Sequence, residues 1–323
     1  MECSRLKKLY VIFLATACLL IITVCNMYTK TGQIQNVGML VEDSIHDQAW
    51  GHKGYKGLQS IEKKFDVHVF YEEGVKTQQQ VAEVVDKFVN NGVNLIFGHS
   101  NIYGKYFVNI AKSYPNVQFV YFNGGYHAKN VTSLNFNSHA MGFFGGMIAG
   151  KMTDSNQVGI IAAYEWQPEI EGFYEGAKYQ NPDVTVHIDY VKDWSDENTA
   201  LIMYKKMKDM GVDVFYPTGD SYSKEVIKQA SEDDLYAVGY VTDQSNIDEE
   251  TVLTSTVQHV DRLYTLAAEK FNSDKLKGDI LVFDFQDDAI TLGPFSSDIP
   301  KDYVEKVENM IKEYKKTAIL PNE

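Results

Sequence analysis

Past Lys30 the apolar positions switch repeatedly between a short continuous run and a 3.6-residue period. Short runs bounded by polar residues predict buried strands, and i, i+3, i+4, i+7 spacing predicts amphipathic helices. Val37–Val41 reads as a strand, Gln48–Lys64 as a helix and Val67–Tyr71 as a second strand. Thr77 opens the next helix, with Gln80 three residues on as a capping box. Val81, Val84, Val85 and Phe88 give that helix one apolar face, and Asn90-Asn91-Gly92 stops it. Asn94–Phe97, a helix over Tyr103–Ser113 and a strand over Gln118–Phe122 follow. Strand and helix in alternation imply a parallel sheet covered on both faces.

The cycle then restarts. Helices are predicted over Ser138–Met152, Pro168–Gly176, Glu197–Met210 and Tyr222–Ser231. Strands are predicted over Val158–Ala162, Val184–Tyr190, Val212–Tyr216, Ala237–Tyr240 and Val252–Thr256. A helix over Val257–Asn272, a hairpin of Leu281–Phe285 with Ile290–Phe295, and a helix over Lys301–Lys316 complete the pattern. The expected fold class is α/β, with two Rossmann-like lobes and parallel sheets. No Ser/Pro-rich linker separates the halves, which favours lobes joined by crossing strands. The expected boundaries are 36–137 plus about 257–323 for the first lobe and 138–256 for the second. Such folds place ligands at the carboxyl ends of their strands.

Charge changes the picture at the N-terminus. Arg5, Lys7 and Lys8 precede an uncharged stretch from Leu9 to Tyr28, the pattern of an export signal or membrane anchor over residues 1–28. Positive-inside logic then leaves the body on the extracytoplasmic side. All three cysteines, Cys3, Cys18 and Cys25, lie in this segment, so the body has no disulfide and no thiol nucleophile. Lipidation at Cys25 or Cys18 and a retained helix both remain open. The chain carries −14, and the first 30 residues carry +3, so the rest carries −17. An acidic body repels phosphate backbones, and no direct nucleic-acid partner is expected.

Motifs for chemistry are sparse. There is no G-x-S-x-G elbow and no Walker-type lysine loop. His46 and His52 with Asp47 have weak spacing for a metal. GFFGGMIAG, Gly142–Gly150, lies within a helical pattern and reads as close helix packing rather than a nucleotide loop. No cofactor is expected, and an enzyme is not favoured. The loops after the strands carry a different signal. They read Glu42-Asp43-Ser44, Gly98-His99-Ser100-Asn101, Asn123-Gly124-Gly125, Ala163–Pro168, Asp193-Trp194-Ser195-Asp196, Thr218-Gly219-Asp220-Ser221 and Thr242-Asp243-Gln244-Ser245. Any one of them can be a helix cap. Together they favour a small, polar, partly aromatic ligand.

VGMLVEDSIHDQAWGHKGYKG resembles the basic membrane protein (BMP) family, the PnrA-like nucleoside-binding proteins of bacterial import systems. The likeness continues in order through NVTSLNF, AMGFFGGMIAG, VGIIA, PEIEGFYEGAK, GVDVFYPTGD, AVGYVTDQ and VLTSTVQHVD, nearly the whole chain after Gln35. The resemblance implies a periplasmic-binding-protein type I-like fold whose lobes close over a cleft. It also implies a small-molecule partner such as a purine nucleoside, an ABC permease, and attachment to the cell membrane. In that family an aromatic of the first motif stacks on the base, and acids plus a lysine hold the ribose. Ile45, Asn123 and Gln258 stand at the aromatic, one acidic and the lysine position, so nucleoside recognition is expected to be altered. Asp43 and Asp243 remain, and Trp194 offers another platform. The expected ligand set is Asp43, Ser44, His46, Asn123, Trp194, Gly219, Asp243 and Gln258.

The resemblance implies two competing functions. One is a surface-anchored receptor that hands a nucleoside-like molecule to an ABC importer. The other is a membrane-held positive regulator of competence that acts indirectly, because its acidic body lies outside the membrane.

Overall fold

The computed structural model of the chain describes residues 33–46 and 50–323. The expected N-terminal signal or anchor, Cys18, Cys25 and Asp47 lie outside the described residues.

The first half builds β1 (Asn36–Leu40), α1 (Trp50–Phe65), β2 (His68–Glu72), α2 (Gln78–Asn90), β3 (Val93–Gly98), α3 (Tyr103–Ile110), β4 (Gln118–Phe122) and β5 (Val131–Phe136). Then come α4 (Ser138–Met152), β6 (Gln157–Ala162), α5 (Pro168–Gln180), β7 (Thr185–Tyr190), α6 (Glu197–Asp209), β8 (Val214–Thr218), α7 (Tyr222–Glu232) and β9 (Tyr236–Val241). The chain closes with β10 (Val252–Gln258), α8 (Val260–Asn272), β11 (Ile280–Phe283), β12 (Ile290–Leu292) and α9 (Lys301–Thr317).

Two six-stranded sheets result, in the orders β11-β5-β4-β3-β1-β2 and β12-β10-β9-β8-β6-β7. The β10–β12 pair is antiparallel. The other pairings of both sheets are parallel. The fold is therefore α/β with two Rossmann-like lobes. The chain crosses between sheets three times: after β5, after β10, and between β11 and β12.

That last crossing corrects the expected hairpin. β11 runs parallel to β5 in the first sheet, and β12 runs antiparallel to β10 in the second. The return segment 257–323 is thus shared between the lobes rather than confined to the first. β5 is a strand that the hydrophobic pattern did not predict. Its Thr132 and Ser133 are buried, which the pattern reads as loop polarity. Inside the sheet their hydroxyls are satisfied, Thr132 by the Lys277 carbonyl at 2.9 Å and Ser133 by the Gly124 carbonyl at 2.7 Å. β10 also outruns its predicted end, so Gln258 closes a strand instead of opening a helix.

Local chemistry explains the elements that matter for the cleft. At α2, Thr77 Oγ1 accepts from Gln80 N at 3.3 Å, and Gln80 Oε1 accepts from Thr77 N at 3.0 Å, the reciprocal capping box. Between α4 and α5 the glycines interlock. A Cβ on Gly142 or Gly146 would sit 2.2 or 2.1 Å from the Glu169 or Phe173 carbonyl oxygen. One on Gly172 or Gly176 would sit 1.9 Å from the His139 or Phe143 carbonyl oxygen. The two helices touch backbone to backbone, so GFFGGMIAG is a packing surface. Among the described residues no helix is long and apolar enough to cross a membrane.

Candidate functional site

A cavity of about 240 Å³ opens where the carboxyl ends of strands from both sheets meet. It lies just below the roughly 300–1,000 Å³ of drug-sized pockets, which suits a small ligand. Of the predicted ligand residues, Asp43, Ser44, Asn123, Trp194 and Gln258 line it. His46, Gly219 and Asp243 are not among the lining residues. His46 is exposed on the loop after β1. Gly219 lies against the Tyr222 ring, 2.0 Å from where a Cβ would stand, so its lack of a side chain is a packing requirement. Asp243 turns its carboxylate back to the Ser245 N–H at 3.0 Å, an Asx turn.

The lining residues hold varied roles. Ser44 donates to Glu73 Oε1 at 2.8 Å, and the Ile45 N–H reaches the same oxygen at 2.8 Å. Those two bonds, the backbone one first, hold the Glu73 carboxyl below its ordinary pKa. Ile45 itself is buried in the core and is not among the residues that line the cavity. Asp43 is half-exposed and ion-paired with Lys76. Asn123 has φ 57°, a left-handed turn after β4 that Asn tolerates, and its Oδ1 accepts from the Phe136 N–H at 3.3 Å. Gln258 donates to Ser138 Oγ at 3.3 Å.

Several lining groups were not in the predicted set. Glu169, in the first turn of α5, is buried. Its Oε1 accepts from Gln167 Nε2 and from the Tyr240 hydroxyl, each at 2.9 Å. Burial pushes its carboxyl above the ordinary range. An acid after a helix-starting proline reads in sequence as a dipole partner on the surface, which hides its place at the cleft. Trp166, Asn101 and Asp220 also line the cavity, and each lies in a loop flagged by the strand-end pattern. On the second lobe Tyr164 stacks on Trp166 at 5.6 Å, and Trp194 meets both edge-on at 5.3 and 5.8 Å.

Lys53 lies behind the cavity. From α1 its Nζ donates to the Val241 carbonyl at 2.8 Å and the Gln258 carbonyl at 2.6 Å, the ends of β9 and β10. Burial lowers its pKa to about 8, against the pull of Asp261 and Asp243. Val241 has φ 62°, a costly conformation for a β-branched residue. Among the described residues no group of three or more His, Cys, Asp or Glu side chains is placed to hold a metal.

The comparisons with known proteins agree with this architecture. The family model described as "ABC transporter substrate-binding protein PnrA-like" matches residues 34–323. The chain is 46% identical over 303 residues to "Transcriptional activator protein med" of Bacillus subtilis (strain 168), covering 94% of this chain and 96% of that one. It is 26% identical over 251 residues to a purine-binding protein of Brucella abortus (strain 2308), covering 76% and 71%. Among solved structures, a transcriptional activator of the comK gene from Bacillus halodurans superposes with a TM-score of 0.82 at 44% identity, covering 88% of this chain and 99% of that one.

Proposed function

Because the chain belongs to the PnrA-like family of ABC transporter substrate-binding proteins, we propose that its interlobe cleft binds a small nucleoside-like molecule. We propose further that the liganded protein is a membrane-tethered positive regulator of competence, acting indirectly from the extracytoplasmic side. The observation that carries the reading is the cleft itself. Strand-end residues of both sheets converge there on one cavity with an aromatic wall. The ligand bridges the lobes and favours one interlobe arrangement, and a membrane partner reads that arrangement. Identity of 46% spread over nearly the full length of a protein named a transcriptional activator supports the regulatory half. The basic, then apolar N-terminus supports the tether, and the net −17 of the rest supports indirect action.

The second reading, the nucleoside-binding component of an ABC importer, is favoured by the relative named for purine binding. One pair of measurements separates them. Mass spectrometry of small molecules released from the denatured protein identifies the ligand. A competence-gene reporter is then read in cells lacking the gene, complemented with wild type or with Trp194→Ala. The regulatory reading expects reporter output to fall in the deletion and to return with wild type but not with Trp194→Ala. Unchanged reporter output beside lost nucleoside uptake favours import.

A further inference from the structure

Among the described residues the cavity is lined by four carboxyl side chains, Glu42, Asp43, Glu169 and Asp220, and by no lysine or arginine. Its one histidine is His99, whose Nε2–H is committed to the Trp50 carbonyl at 2.7 Å and whose Nδ1 accepts from the Tyr264 hydroxyl at 3.0 Å. Burial holds that ring's pKa down to about 4, so it stays neutral. Of the cations nearby, Lys76 pairs with Asp43 and so offsets one of these acids, and Lys53 is held by two backbone carbonyls. Glu42 has a neutral partner at the cleft, the Ser100 hydroxyl at 2.7 Å.

The aromatic wall is an independent observation. Trp166 is 53% exposed, although it stacks on Tyr164 and meets Trp194. Burial first, then Asp193, Glu42 and Asp43, push the Tyr164 hydroxyl above its ordinary pKa. Glu42 and Asp43, of the first lobe, line the same cavity as Trp166 and Trp194, of the second. An exposed indole face opposite carboxylates attracts a desolvated cation twice, through the ring quadrupole and through the acids. An anion entering the same place meets like charge from Glu42, whose cleft partner is a neutral hydroxyl.

We infer that the cleft selects its ligand by positive charge, taking a cationic planar ring between the Trp166–Trp194 wall and Glu42 and Asp43 and rejecting anionic nucleotides. This rests on the nucleoside-like reading of the cleft and names the charge of its ligand.

The test is titration calorimetry of the purified full chain at pH 7 with AMP, adenosine and 1-methyladenosine. These share a purine and ribose and carry negative, zero and positive charge. The expected result is 1-methyladenosine binding about tenfold tighter than adenosine, as a cation–π contact near its upper range implies, with AMP not binding measurably. Raising salt from about 0.05 to about 0.5 M should shrink that preference, since it screens the partly exposed acids. Glu42→Gln should shrink it too. Adenosine binding as tightly as 1-methyladenosine, or AMP binding best, overturns the charge inference alone. Failure of all three to bind overturns the nucleoside-like reading together with it.

Discussion

The Trp50 indole and the His99 imidazole lie face to face, 4.7 Å apart with 12° between their planes, and each residue bonds the other's backbone. Trp50 Nε1 donates to the His99 carbonyl at 3.1 Å, and His99 Nε2 donates to the Trp50 carbonyl at 2.7 Å. The Tyr264 hydroxyl completes the ring at Nδ1. The first turn of α1, the end of β3 and α8 are thereby pinned together beside the cleft. Gly54 makes room for this arrangement, because a Cβ there would lie 2.5 Å from the imidazole.

A pH dependence follows from His99. Its folded pKa is about 4, against an ordinary 6.5, because burial penalises the cation. Between those values the unfolded chain binds a proton that the folded chain does not, so stability falls as pH drops through that window. The full contribution is about 3 kcal/mol. Urea unfolding at pH 7 and pH 4.5 measures it. His99→Gln should be less stable at pH 7 and should lose less on acidification than wild type.

Lys53 has the opposite working range. Its folded pKa of about 8 lies below the ordinary 10.5, so the unfolded chain binds more protons between those values. Its contribution to stability therefore rises as pH climbs from about 8 towards 10.5. Lys53→Met removes two charge-assisted bonds to strand-end carbonyls and should cost about 1–3 kcal/mol at pH 8. The deficit against wild type should widen at pH 10. Denaturant curves at the two pH values check both the sign and the slope.

The helix interlock gives a contrast within one helix. Gly146→Ala places a methyl 2.1 Å from the Phe173 carbonyl oxygen and 2.9 Å from the Ala177 nitrogen, both backbone atoms. α4 and α5 must then separate, at about 2–4 kcal/mol. Gly145→Ala meets the Thr256 methyl at 3.2 Å and Val238 at 3.6 Å, side chains able to yield. It should cost much less, and thermal unfolding of the two variants side by side reads the difference.

The alternation of elements was legible because most strands are buried and apolar and most helices carry one apolar face. β5 was not, because its polar side chains find partners only in the fold: Thr132 bonds the Lys277 carbonyl, and Ser133 and Asn135 bond the Gly124 carbonyl of the preceding turn. The separation of β11 from β12 was not legible either. Two short strands close in the chain look like a hairpin until the crossing between sheets is seen. At the cleft, the strand-end rule named Asp43, Ser44, Asn123 and Trp194, and the family resemblance named Gln258; all five line the cavity. Gly219 and Asp243 are not among its lining residues; packing against Tyr222 and an Asx turn use the same residue types. Glu169 and Lys53 escaped because both sit on helices. Only the tertiary fold turns one towards the cavity and the other towards two carbonyls.

The central claim is that the interlobe cleft binds a nucleoside-like ligand. A ligand that binds only the folded state raises the unfolding midpoint with concentration, by about 2.7 kcal/mol at a hundredfold excess over Kd. The most direct measurement is thermal unfolding of wild type and Trp194→Ala against a panel of nucleosides, neutral and cationic. The account predicts a concentration-dependent rise for at least one of them with wild type, and its loss with Trp194→Ala. No rise with any member at millimolar concentration, or an equal rise in the variant, would contradict it.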